Sequence, residues 1–87
     1  LSSMKVLNLD NTPISDVSVD YLTGMEKLVF LHLGSTGVTD AGIIKLKGLK
    51  TLEDLKVTRT AVTEAGVKAL QEELPECEIQ LRYVEGE

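Results

Sequence analysis

The chain has 87 residues, a formal net charge of −5, 43% apolar residues and only 3% aromatic ones. That length fits one domain near the size at which a single core becomes marginal, so burial must come from a regular scheme of Leu, Val and Ile or be completed by a neighbour. The acidic surplus is concentrated in Glu72, Glu73, Glu76, Glu78, Glu85 and Glu87, which argues against nucleic acid as a partner.

The first predicted element is a short strand around Val6, with Met4, Leu7 and Leu9 as its apolar positions. A bend carrying Thr12 and Ile14 follows, then a helix predicted over 16–23 that is capped by Ser15 and stopped by Gly24. The same scheme recurs 24 residues on. Leu28, Leu31 and Leu33 mark the second strand, Thr36 and Val38 the bend, and Thr39 the cap of a helix predicted over 40–47 and stopped by Gly48. Leu52, Leu55 and Val57 begin a third copy, with Thr60, Val62, the cap Thr63 and a helix over 64–74 that Pro75 ends. A fourth copy starts with Glu76, Ile79 and Leu81, placing Glu76 at a core leucine site. The repeats therefore run about 4–27, 28–51 and 52–75, with a C-terminal cap at 76–87, in one domain over 1–87.

Alternation within LVFLHLG turns Leu31 and Leu33 to one face and Phe30 and His32 to the other. Each cap hydroxyl is expected to accept a free backbone N–H, and Asp16, Asp40 and Glu64 suit the positive helix end. The pairs Ile14 with Val19, Val38 with Ile43 and Val62 with Val67 form a repeated hydrophobic staple. Thr12, Thr36 and Thr60 are expected to satisfy backbone groups of the bend. Gly42 and Gly66, inside helices, imply close contact with the adjacent coil, because glycine there costs about 1 kcal/mol relative to alanine.

The pattern L-x-x-L-x-L-x-x-T-x-V-T-D-A-G-L-x-x-L resembles the leucine-rich repeat, in a 24-residue form familiar from bacterial proteins. Departures are Ser18 in place of the glycine, Glu76 in place of the first leucine, and threonine where most of the family has asparagine. The resemblance implies an α/β solenoid of about three and a half coils, with a parallel sheet of four short strands on the concave face and helices on the convex face. It also implies protein binding by the concave sheet. Leu1 falls inside a coil, so Leu7, Leu9 and Leu22 are expected at a bare flank, and the chain reads as the C-terminal part of a longer array.

On the sheet's outward face, one expected row holds Val6, Phe30, Asp54 and Glu78, the next Asn8, His32, Lys56 and Gln80, and the next Asp10, Gly34, Thr58 and Arg82. The partner-binding set is Phe30, His32, Asp54 and Lys56, with Asn8, Glu78 and Gln80 around them, because these vary on an otherwise repeated frame. Lys56 and Arg82 are expected to neutralise Asp54 and Glu78, and Lys45, Lys47 and Lys50 to form a solvated basic face. Cys77 and His32 are single and fall about 10 Å apart, two strands at the sheet spacing, too far for a nucleophile and its base. No metal, cofactor or catalytic pair is expected. No run reaches the roughly 18 apolar residues of a membrane helix.

A protein-binding, non-catalytic module is the leading expectation. A structural spacer or assembly unit that self-associates through the N-terminal coil is the alternative. A third reading, the substrate-recognition arm of a ubiquitin-ligase adaptor, follows from the likeness of VTDAG to cysteine-containing repeats, although Thr36 and Thr60 stand where those carry cysteine.

Overall fold

The computed structural model describes residues 3–82; Leu1 and the cap residues Glu85 and Glu87 lie outside the described residues. Four three-residue strands, β1 (Val6–Asn8), β2 (Phe30–His32), β3 (Asp54–Lys56) and β4 (Glu78–Gln80), form one parallel sheet in chain order. Their register is the sequence period itself: Leu7 pairs with Leu31, Leu31 with Leu55, and Leu55 with Ile79. Between the strands run α1 (Asp16–Leu22), α2 (Asp40–Ile43), which continues as a 3-10 turn over Ile44–Gly48, and α3 (Glu64–Glu73). The α1, α2 and α3 helices pack on one another in sequence and share one apolar cluster with the strand leucines.

Position in the stack decides burial. Leu31, Leu33, Leu55 and Val57, on the inner strands, are fully buried with Val19, Ile43, Leu46 and Leu70 from the helices. Burying a leucine fully contributes about 1.5–3 kcal/mol, so inner strands contribute more than outer ones. Leu7 and Leu9 on one edge, and Ile79 and Leu81 on the other, are only half-buried. Leu22, expected beside them at the bare flank, is instead buried, because it lies in the helix layer within the common apolar cluster.

The second return path differs from the expected helix over 40–47. Its apolar residues Ile43, Leu46, Leu49 and Leu52 follow in steps of three, and all four are buried. The first repeat has the same steps of three, Val19, Leu22, Met25 and Leu28, and its helix takes the α form, so this spacing accommodates either winding. In α3 the buried positions Gly66, Leu70 and Leu74 follow in steps of four, and the α form persists.

That difference in winding overturns the assignment of Glu76 to the core. The return turn closes through Leu28 N–H to Met25 C=O, Leu52 N–H to Leu49 C=O and Cys77 N–H to Leu74 C=O, each 3.1 Å, so the third copy falls 25 residues on rather than 24. The extra residue sits in α3 and is given back before β4, which follows Cys77 directly. Cys77 and Leu74 fill the apolar sites, and Glu76 is exposed.

The bend after each strand is built identically. Thr12, Thr36 and Thr60 donate their hydroxyls to the carbonyls of Leu9, Leu33 and Val57, each at 2.7 Å, as the sequence implied. One residue earlier, Asn11, Ser35 and Arg59 take φ of 57°, 52° and 55°. None of the three is glycine, so each bend holds a left-handed residue that costs about 1–2 kcal/mol, and the threonine bond helps hold it.

The caps meet expectation in part. Of the N-cap residues Ser15, Thr39 and Thr63, Ser15 forms a reciprocal capping box with Ser18, Thr63 accepts the N–H of Gly66 at 3.3 Å, and Thr39 makes no such bond. The Thr39 hydroxyl donates to Asp16 Oδ2 at 2.5 Å while its N–H donates to Asp16 Oδ1 at 2.7 Å. Thr63 does the same to Asp40, at 2.6 and 2.7 Å. Each aspartate in a first helical turn therefore clamps the cap of the next repeat. The glycines make room for it: a Cβ on Gly42 would lie 2.0 Å from Asp16 Oδ1, and one on Gly66 would lie 2.1 Å from Asp40 Oδ1.

Two outcomes follow. Helix propensity alone makes Gly42→Ala stabilising by about 1 kcal/mol; the clamp makes it destabilising in the native chain, and stabilising once Asp16→Ala has removed the carboxylate. Urea midpoints of the two singles and the double check this change of sign. The bonds from Thr63 hold the Asp40 carboxyl below its ordinary value. Its stabilisation is present above the unfolded-state value of about 3.9 and is lost as pH falls through the lower folded value. An acid series of urea midpoints should therefore fall more steeply for the native chain than for Asp40→Asn.

Candidate functional site

Among the described residues one face of the sheet carries the helices and the other carries none, and the alternation of each strand sends its first and third residues to the helix-free face. Register gathers these residues into two rows: Val6, Phe30, Asp54 and Glu78, then Asn8, His32, Lys56 and Gln80. All seven residues expected to bind a partner, Asn8, Phe30, His32, Asp54, Lys56, Glu78 and Gln80, thus share this face.

Phe30 and His32 meet edge to face, with ring centres 6.4 Å apart and planes at 78°. Both are half-buried, whereas Val6, beside Phe30, is 63% exposed. His32 Nδ1 accepts the N–H of Gly34 at 3.1 Å, so the neutral ring carries its proton on Nε2, and Asp10 Oδ1 lies 3.9 Å from the same Nδ1. Asn8 Oδ1 accepts the N–H of Asp10 at 2.9 Å in the equivalent way.

Gly34 is a contributor that sequence reasoning missed. A Cβ there would lie 2.6 Å from His32 Cε1 and 2.8 Å from both Asp10 Oδ1 and Thr58 Oγ1. Only a residue without a side chain lets those three groups close together. Its placement in a row between Asp10 and Thr58 was the available signal.

The charges do not cancel as expected. Lys56 Nζ donates to Gln80 Oε1 at 2.7 Å, and Arg82 pairs with Glu64 of α3. Asp54 and Glu78, side by side in the register and both exposed, are left as an acidic corner of the face. The expected solvated lysine face is also partly engaged: Lys45 pairs with Asp20 at 3.1 Å and Lys50 Nζ donates to the carbonyl of Glu73 at 2.9 Å.

Chemically, the face offers an aromatic pair, two amides, a cation and two carboxylates, and no nucleophile with a base. Cys77 lies buried in the core, and burial, aided by the charges of Asp54 and Glu78, pushes its thiol up to about 11. At pH 8 the thiol is therefore protonated and covered. Iodoacetamide labelling of the native chain, followed by mass, should be slow and should reach the rate of a free cysteine only in denaturant.

Among the described residues no helix is long and apolar enough to cross a membrane, and no three His, Cys, Asp or Glu side chains converge to hold a metal.

Comparison with known proteins agrees with this geometry. A chain from the solved structure of Chaetomium Mex67:Mtr2 subunits matches 88% of this chain with a TM-score of 0.72, at 20% identity. This chain spans 53% of that one, and the likeness is one of fold. No curated protein matches. The family model described as Leucine Rich repeat matches residues 24–47, which run from the end of the first return path through β2 and into the second helix. Residues 24–47 are thus a leucine-rich repeat, and a strand, bend and helix of the same build stand before and after it.

Proposed function

We propose that the chain is a non-catalytic protein-interaction module that binds a protein partner through the helix-free face of its sheet. In this reading the repeats form a solenoid of about three and a half coils within a single domain, and that face is concave. The observation that carries the proposal is the grouping of seven side chains of different chemistry on one face, over a frame whose core positions are nearly invariant from repeat to repeat. Phe30, with exposed Val6 beside it and His32 against its edge, forms an apolar centre within a polar rim, the arrangement of a contact hot spot. Asp54 and Glu78 in the row of Phe30, and Lys56 in the row of His32, supply orientation.

The structural neighbour comes from a set of subunits, which accords with a role in association. Repeat proteins of this architecture present extended binding surfaces in general.

Phe30→Ala combined with Lys56→Glu should weaken capture of the partner by about tenfold or more, the scale of hot-spot truncation. Circular dichroism and urea midpoint should change little, because neither side chain belongs to the apolar core. Undiminished capture by a folded double variant would remove this face as the binding surface.

A further inference from the structure

The row Val6, Phe30, Asp54 and Glu78 is divided along its length. Its first two residues are apolar and its last two are acids, in the order of the strands. Phe30 and Asp54 stand on β2 and β3, each with a strand on both sides, so the space above them belongs to the helix-free face and does not depend on where the chain begins or ends. Asp54 and Glu78 are exposed, and neither forms an ion pair among the described residues.

Lys56 and Arg82, expected to neutralise these acids, are held elsewhere, the first on Gln80 Oε1 at 2.7 Å and the second on Glu64. Burial, and then the charges of Asp54 and Glu78, raise the Cys77 thiol, so the field of the two acids reaches the core. Lys56 follows Asp54 by two residues on the same side of β3, in the row of His32. A base laid over that row would meet its charge, whereas a base laid over the row of Phe30 meets two carboxylates. The face therefore sorts charge by row.

Spacing sets the shape of what fits. Neighbouring strands lie about 4.8 Å apart, which puts Phe30 about 7 Å from the midpoint between Asp54 and Glu78. Side chains two residues apart in an extended segment point the same way and are also about 7 Å apart. A segment crossing the strands can thus set one side chain on Phe30, next to exposed Val6, and the next but one between the acids. An arginine there has five N–H donors in one plane to share between two carboxylates, where a lysine offers a point charge.

We propose, resting on the reading of this face as a binding surface, that the partner presents a basic extended segment with an apolar residue and an arginine two apart. The apolar side chain lies on Phe30, and the guanidinium lies between Asp54 and Glu78.

The test follows amide shifts of the whole chain on titration with acetylated, amidated peptides that carry Leu-Ser-Arg, Leu-Ser-Glu or Ser-Ser-Arg between Gly-Ser flanks. The Leu-Ser-Arg peptide should bind saturably, with shifts centred on Phe30, Asp54 and Glu78. It should bind about threefold or more tighter than either of the others, the scale of an exposed ion pair or of a partly covered apolar contact. Asp54→Asn with Glu78→Gln, at exposed sites outside the apolar core, should bring the Leu-Ser-Arg and Leu-Ser-Glu peptides to about the same affinity. No saturable binding of the Leu-Ser-Arg peptide, as for a face already covered by a second copy, overturns the proposal. So does a preference for arginine that survives in the double variant. Equal binding of the Leu-Ser-Glu peptide at the same residues overturns the basic partner and leaves the face as a binding surface. Shifts centred on the helix layer remove the face as well.

Discussion

Every strand leucine here is sheltered by the same position one repeat away. Leu31 lies between Leu7 and Leu55 in the register and is fully buried, while Leu7, with a strand on one side only, is not. A repeat of 24 residues has no interior of its own; its apolar face becomes a core only when another face of the same shape covers it. This explains why the composition can dispense with large aromatic side chains. Identical small layers need Leu, Val and Ile at fixed places, and a bulky ring at any of them would have to be matched above and below.

Layering at this spacing creates a second demand, which the polar residues meet. Each bend turns the chain by a left-handed residue and leaves carbonyls that the sheet does not use, and each helix start leaves N–H groups without a helical partner. Thr12, Thr36 and Thr60 answer the first within a repeat, and the Asp16 and Asp40 clamps answer the second between repeats. Thr51 adds a further tie, donating to the carbonyls of Glu26 and Leu28. No buried side-chain nitrogen or oxygen among the described residues is left without a partner. The clamp also explains Gly42 and Gly66 by subtraction: a helical glycine is unfavourable for the helix itself and favourable only through the carboxylate that occupies its missing side chain.

What could be read from the sequence follows from this regularity. Strand faces, register, cap positions and the threonine bends needed only the period and an alternation of two, so the face carrying Phe30, His32 and Lys56 was legible residue by residue. The 3-10 turn was not, because the first repeat carries the same steps of three and winds as an α-helix, so the apolar spacing does not distinguish the two. Cys77 replacing Glu76 in the core depends on the same choice, since α3 absorbs one more residue than the turn at Ile44–Gly48. Charge partners were misread for a different reason. Lys56 and Arg82 have long, flexible side chains with several acceptors in reach, and spacing along the chain does not say that one goes to Gln80 and the other to Glu64.

The consequence for function is a division of labour within each strand. Its central residue must be leucine or a near equivalent, as Leu7, Leu31, Leu55 and Ile79 show, whereas the residues on either side answer to no layer above or below. Val6, Phe30, Asp54 and Glu78 occupy one register position with four different chemistries, and the backbone ladder through them is unchanged. Substitution on the helix-free face therefore costs the fold little. The edges of the stack are different, because their half-buried apolar residues, Leu7, Leu9, Ile79 and Leu81, stand at the positions that build the interior in the inner repeats.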